Sequence, residues 1–82
     1  MSQVKIKYGK AQELQWSQAK QLSAVGSAAA VVVLMQDETV VVLKSYDTQD
    51  RAQAVHDALQ EDITAAVNDG EGGITIIDIE DY

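Results

Sequence analysis

The stretch AAAVVVLMQDETVVVLKSY, residues 28–46, decides the fold class of this chain. It contains two β-branched apolar runs joined by the polar segment QDET at 36–39. Runs of this length, separated by a short polar turn, are typical of a β-hairpin. Both faces of the first run are apolar, with Val31, Val33 and Met35 on one side and Val32 and Leu34 on the other. In a sheet with one solvent-exposed face, apolar and polar residues would alternate more clearly along each strand. We therefore expect the second face of this sheet to be covered as well.

The two ends of the chain predict further strands. Residues 3–8 alternate between polar and apolar, and Gly9 ends the run. Residues 74–80 place Ile77 and Ile79 on one face, and Ile74, Ile76, Asp78 and Glu80 on the other. This period of two is the signature of strands with one buried face.

Residues 48–67 predict a long amphipathic helix. Asp47 or Thr48 can cap its start, and the sequence NDG at 68–70 stops it. Its apolar side chains recur at helical spacing and form one stripe: Ala52, Val55, Leu59, Ile63 and Ala66.

Residues 11–25 are rich in helix formers, and Gly26 follows where a helix cap belongs, so the segment is predicted to be a helix. At ~100° per residue, Leu14 joins an apolar face that Gln18 interrupts, while Trp16 falls almost opposite. An extended segment would instead place Leu14 and Trp16 on one face, which is the main argument against the helix.

The predicted order is strand, helix, strand, strand, helix, strand. This order favours a single α+β domain over residues 1–82, with the βαββαβ topology of a ferredoxin-like open-faced sandwich. In that topology the first strand is central, between the last strand and the second strand of the hairpin. The alternative is a β-meander packed on the single helix 48–67, with residues 11–25 partly extended.

Composition limits the possible functions. The chain has 82 residues, no cysteine and one histidine, which excludes disulfides and zinc sites of the Cys and His type. The stability that a core this small supplies is marginal, so we expect self-association to add to it.

The sequence shows no sign of a membrane or exported protein. No apolar run approaches the ~20 residues of a membrane span, and no leader pattern is visible, so we expect a cytoplasmic protein. A net charge of −7 opposes binding to nucleic acids and to anionic membranes.

Charge is distributed unevenly along the chain. After Arg51 there is no Lys or Arg, whereas the first 26 residues hold four lysines and one acid. If the first and last strands pair, Lys5 and Lys7 would lie beside Asp78 and Glu80, and such cross-strand pairs are stabilising.

The remaining carboxylates concentrate on the second helix. Asp50, Asp57, Glu61 and Asp62 face away from its core stripe, and the loop at 69–71 adds two more acids. Such a face is commonly just solvated. Its functional interpretation is a docking surface for a basic partner, with a metal or acid/base site as a third possibility. The glycines at 70–73 follow a helix and open a strand, so they predict a connection and not a phosphate or calcium loop.

Trp16 and His56 are two further candidates for functional residues. Trp16 leaves the core face on the helical interpretation, and an exposed tryptophan favours a partner-binding role. His56 lies at the edge of the core stripe of the second helix. Asp57 is its neighbour in sequence and points ~100° away on a helix, so we expect no oriented catalytic imidazole.

These observations predict a non-enzymatic protein-interaction module, such as a small acidic accessory or inhibitor-like protein, that needs no cofactor and no metal. We expect it to form a homodimer through the uncovered sheet face, with Val40, Val42, Ile74 and Ile76 as the apolar part of that patch. The alternative is a regulatory domain that binds a small ligand at the dimer interface or under Trp16. No motif assigns the chain to a family.

Overall fold

The computed structural model describes residues 2–68 and 73–82. The regular elements are β1 (Ser2–Tyr8), β2 (Gln12–Gln15), β3 (Ala19–Val25), β4 (Ala30–Met35), β5 (Val40–Ser45), α1 (Gln49–Val67) and β6 (Gly73–Asp78). Short 3₁₀ turns occupy Trp16–Gln18, Gly26–Ala28 and Ile79–Asp81. The α+β class is therefore confirmed.

The described strands form two three-stranded sheets. Sheet A has the order β2-β1-β6, and sheet B has the order β3-β4-β5. In sheet A, β1 runs antiparallel to β2 and parallel to β6, whereas sheet B is an antiparallel meander. The first strand is central and beside the last strand, as predicted. Its other neighbour is β2, so the predicted pairing with the second strand of the hairpin is wrong.

The predicted helix at residues 11–25 is also wrong, because this segment forms β2, a 3₁₀ turn and β3. In the two hairpins Leu14 lies opposite Ile6, and Leu22 lies opposite Val33, and all four side chains are buried. Helix propensities differ by only tenths of a kcal/mol per residue, whereas burying one leucine contributes about 1.5–3 kcal/mol. Burial therefore overrides propensity. The architecture shares with the alternative its single long helix and the extended segment 11–25, but only sheet B is a meander.

The predicted hairpin at residues 28–46 is confirmed as β4 and β5. Its turn is closed by a hydrogen bond from the Met35 amide to the Thr39 carbonyl at 2.8 Å. Asp37 Oδ1 accepts a hydrogen bond from the Thr39 amide at 3.0 Å, and this contact lowers the pKa of the Asp37 carboxyl. Glu38 adopts the left-handed conformation with φ of 70° that lets the chain reverse.

The long helix is confirmed as α1. Thr48 is its N-cap, and its hydroxyl accepts a hydrogen bond from the Arg51 amide at 3.1 Å. The helix ends at Val67 with Asn68 as C-cap. The rest of the predicted stop signal, residues 69–70, lies outside the described residues.

Side chains from α1 and both sheets form one core, since α1 contacts β1, β3 and β4. Four of the five residues of the predicted stripe are buried, namely Ala52, Val55, Leu59 and Ile63, and Ala66 is partly buried. On the outer face of sheet B, Ala30 and Val32 are buried, whereas Val40 is 57% and Val42 is 55% exposed. Among the described residues, this second face is therefore covered at β4 and open at β5.

Candidate protein-binding surface

The α1 acidic face consists of Asp50, Asp57, Glu61 and Asp62, and all four are exposed. The helical spacing predicted from sequence therefore presents these carboxylates to solvent. Arg51 is the only lysine or arginine on α1. Apart from Arg51, no lysine or arginine of α1 is present to neutralise the negative charge of this face.

Asp57 is held in place by its neighbours on α1. Its Oδ1 lies 3.0 Å from His56 Nδ1 and accepts a hydrogen bond from Gln53 Nε2 at 2.9 Å. The contact with His56, followed by that with Gln53, lowers the pKa of the Asp57 carboxyl. The Asp57 side chain is nevertheless 68% exposed, so its charge is available to a partner.

His56 is oriented by Asp57, and the prediction that these two side chains point apart is wrong. The imidazole Nδ1 faces Asp57, and Nε2 lies 3.2 Å from the Leu22 carbonyl oxygen on β3. Because both oxygens only accept, the two hydrogen bonds form together only on the doubly protonated ring. On the neutral ring only one nitrogen carries a proton, so only one of the two hydrogen bonds forms.

Asp62 joins the helix to the end of the chain. The Tyr82 hydroxyl donates a hydrogen bond to the Asp62 carboxylate. Burial, followed by this contact, raises the pKa of Tyr82. Just before Tyr82, Asp78 Oδ1 accepts a hydrogen bond from the Glu80 amide at 3.0 Å and caps the 3₁₀ turn Ile79–Asp81. The C-terminal turn is therefore fixed against the acidic side of α1.

This arrangement creates the β6 groove, a surface cleft of about 340 Å³. Residues 75–78 of β6, Asp62 of α1, and Asp81 and Tyr82 of the C-terminal turn line it. Three carboxylates from three different elements thus meet in one cleft. No lysine or arginine lines the described part of this groove.

The charge pairing predicted between the two ends of the chain is only partly present. Lys7 lies opposite Asp78 in the β1–β6 register, but Lys5 lies opposite Ile76. Glu80 instead forms an ion pair with Lys44 of β5 at 3.1 Å. Since Glu80 lies in the 3₁₀ turn, it no longer follows the line of the strand.

Trp16 lies in the 3₁₀ turn between β2 and β3, partly buried against the core. It is therefore not an exposed residue on the outer side of a helix. A second surface groove, of about 380 Å³, lies beside it. Its lining includes Trp16, Val4 and Val67 together with Lys5 and several polar side chains.

The four residues predicted for the dimer interface lie on two different sheets. Val40 and Val42 are on β5 in sheet B, whereas Ile74 and Ile76 are on β6 in sheet A. All four are more than half exposed, with Ile74 at 61% and Ile76 at 56%. The exposure was predicted correctly, but the four side chains do not share one sheet face.

Comparisons of the chain with protein-family models, with curated proteins and with solved structures found no match. In the described ranges, no three His, Asp or Glu side chains are grouped so that they could hold a metal ion. The helix among residues 2–68 and 73–82 is not apolar enough to cross a bilayer. The geometry of the described side chains is therefore the basis for a functional proposal.

Sequence reasoning missed the β6 groove. Asp78 and Asp81 were visible as acidic residues near the end of the chain, but nothing in the sequence places them beside Asp62. The only available signal was Tyr82, an amphipathic side chain at the terminus that can anchor itself by its ring and donate from its hydroxyl.

Proposed function

We propose that this protein is a non-enzymatic interaction module that binds a basic protein through the α1 acidic face. The observation that supports the proposal is the exposure of all four carboxylates along α1, beside a groove with two more. A surface of one sign attracts a partner of the opposite sign and increases the rate of association.

The state of His56 is consistent with this proposal. The single histidine uses one nitrogen on the Leu22 carbonyl and the other on Asp57. The contact with the Leu22 carbonyl oxygen links α1 to β3. The carboxylates of α1 are exposed and accessible to a partner.

Charge reversal on α1 tests the function. The variant Asp57→Lys/Glu61→Lys should lose partners that the wild-type protein captures from its native source. The matched control is Glu13→Lys/Glu38→Lys, which changes the net charge equally at exposed positions on β2 and in the β4–β5 turn. Circular dichroism establishes that both variants are folded.

Partners that are lost in the first variant and kept in the control are then purified, and their Kd is measured at two salt concentrations. We expect binding to weaken with salt, because exposed charges are screened over about 8–10 Å at physiological ionic strength. Equal capture by the wild type and the α1 variant would overturn the proposal.

We further propose that the protein forms a homodimer through the outer face of sheet B. The support is the apolar character of this face, where Val42 lies opposite Val32 and Val40 lies opposite Leu34. Val32 and Ala30 are buried although they lie outside the core cluster. Ile74 and Ile76 belong to sheet A and are left out of this interface.

Size-exclusion chromatography with light scattering tests the dimer. We expect a dimer at micromolar concentration for the wild type and a monomer for Val40→Lys/Val42→Lys. A wild-type monomer over the whole micromolar range would contradict the proposal.

A ligand-binding regulatory domain is the second candidate function. The groove beside Trp16 supports it, because apolar walls with a few polar groups are typical of small-molecule sites. Trp16 is the only tryptophan and lines this groove, so a ligand bound there should change its fluorescence. A small-molecule screen that changes neither the fluorescence nor the melting temperature would count against this candidate.

A further inference from the structure

The β6 groove runs along a free edge of a sheet. β6 is the outermost strand of sheet A, and within residues 2–68 and 73–82 it pairs only with β1. The groove is lined by four consecutive strand residues, 75–78. Because consecutive side chains point to opposite faces, a cleft that reaches all four must follow the strand edge. The cleft therefore presents backbone N–H and C=O groups as well as side chains.

The edge of β6 has few of the features that usually prevent an edge strand from pairing with a further strand. Proteins commonly protect such edges with proline, lysine or a covering element. β6 has the sequence GITIID, with neither proline nor lysine, and its Ile74 and Ile76 are more than half exposed. A strand added beside β6 would bury part of these side chains through cross-strand contacts.

The charges at the groove determine which strand fits. Asp62, Asp78 and Asp81 stand around it, and the Tyr82 hydroxyl holds Asp62 toward the C-terminal turn. An added strand would need lysine or arginine to match these carboxylates, since charge-assisted hydrogen bonds to carboxylate are strong. Pairing with the β6 strand of a second copy fits poorly, because that strand would bring a further carboxylate and no lysine or arginine.

Building on the proposed function, we propose that the β6 edge binds an extended basic segment of a partner protein by strand addition. The partner's main chain pairs with the open edge of β6 and extends sheet A. Its lysine or arginine side chains reach Asp62, Asp78 and Asp81, while apolar side chains at alternate positions pack beside Ile74 and Ile76. Main-chain hydrogen bonds supply affinity in this mode, and alternate side chains supply specificity.

The first test uses a fluorescent peptide of about ten residues, the upper length of a typical strand, with alternating lysine and valine. The groove variant is Asp62→Asn/Asp78→Asn/Asp81→Asn. Asparagine keeps an acceptor oxygen for the Tyr82 hydroxyl and for the Glu80 amide, so these contacts persist. The control, Asp50→Asn/Asp57→Asn/Glu61→Gln, removes the same number of charges from the rest of the α1 acidic face. We expect the Kd to rise at least about tenfold in the groove variant and only about twofold in the control.

The second test separates strand addition from simple charge attraction. A peptide of the same sequence, methylated on alternate backbone nitrogens, keeps its charge but loses donors along one edge. We expect it to bind the wild type at least about tenfold more weakly than the unmodified peptide. Amide hydrogen exchange in β6 should slow with the unmodified peptide only.

The outcomes distinguish the two proposals. Equal binding of both peptides, weakened mainly by the control variant, would overturn strand addition and leave the α1 acidic face as the binding surface. No binding of the unmodified peptide to the wild type, or a dimer of this chain that protects the β6 amides, would overturn strand addition. The α1 acidic face is judged separately, by Asp57→Lys/Glu61→Lys with the native partner.

Discussion

At the scale of single residues, Asp57 has two roles. It contributes charge to the α1 acidic face, and it orients His56, whose other nitrogen bonds the Leu22 carbonyl on β3. A carboxylate that organises a helix-to-sheet contact stabilises the fold only while it is ionised. The stability of the protein should therefore depend on the protonation of Asp57.

We expect the contribution of Asp57 to disappear in acid. Its pKa is lower in the folded protein than the ordinary value of 3.8, so its contribution is complete above that pH. The contribution is lost as the pH falls through the lower, folded-state pKa. The difference in unfolding free energy between the wild type and Asp57→Asn should therefore shrink between about pH 5 and pH 2, as measured by urea denaturation. A difference that stays constant over this range would contradict the assignment.

At the scale of elements, α1 depends on its first turn. The Thr48 hydroxyl satisfies the Arg51 amide, which has no partner within the helix. Asp50 also lies in this turn, where a negative charge interacts favourably with the helix dipole. These local features explain why the start of α1 could be predicted from the sequence.

Thr48→Ala should destabilise the protein by about 1 kcal/mol, because the Arg51 amide loses its acceptor. Thr48→Ser keeps the hydroxyl and should remain close to the wild type. Urea denaturation of the three proteins provides the measurement. Equal stability of the alanine and serine variants would show that the cap contributes nothing.

The segment that forms β2 and β3 shows the limit of local patterns. Its residues are good helix formers, and its leucines are spaced so that either a helix or two strands can bury them. The choice depends on Ile6 and Val33, which lie opposite Leu14 and Leu22 in separate hairpins. No window of sequence around residues 11–25 contains both partners.

At the scale of the whole molecule, α1 joins the two sheets into one core. Leu59 is fully buried, and the helix contacts strands of both sheet A and sheet B. A small domain of this kind is stable by only about 5–15 kcal/mol. The loss of one central side chain should therefore weaken both sheets together.

Leu59→Ala should lower the free energy of unfolding by about 2–5 kcal/mol, since it leaves a cavity between α1 and the sheets. Val67→Ala is the control, because Val67 is 46% exposed at the end of the same helix; we expect a change within about 0.5 kcal/mol. Thermal unfolding followed by circular dichroism and by Trp16 fluorescence measures both variants. Separate transitions for the two signals would contradict a single shared core.

The candidate surface was predictable only where it lies on one element. The α1 acidic face follows from helical spacing, and the exposure of Val40, Val42, Ile74 and Ile76 follows from the face of its strand on which each residue lies. The β6 groove combines residues from α1, β6 and the C-terminal turn, which are distant in sequence. Its formation depends on the path of the chain after β6, and no local periodicity encodes that path.

The sequence by itself determined the β4–β5 hairpin, the helix α1 and the buried faces of the first and last strands. These features depend on periodicity, capping and turn residues within a few positions of each other. Only the tertiary structure decided that residues 11–25 are extended, that the strands divide into two sheets, and that Asp62 meets Asp78 and Asp81. Each of these results depends on side chains that are far apart in sequence, because the free energy of burying them together exceeds the local preference of the backbone.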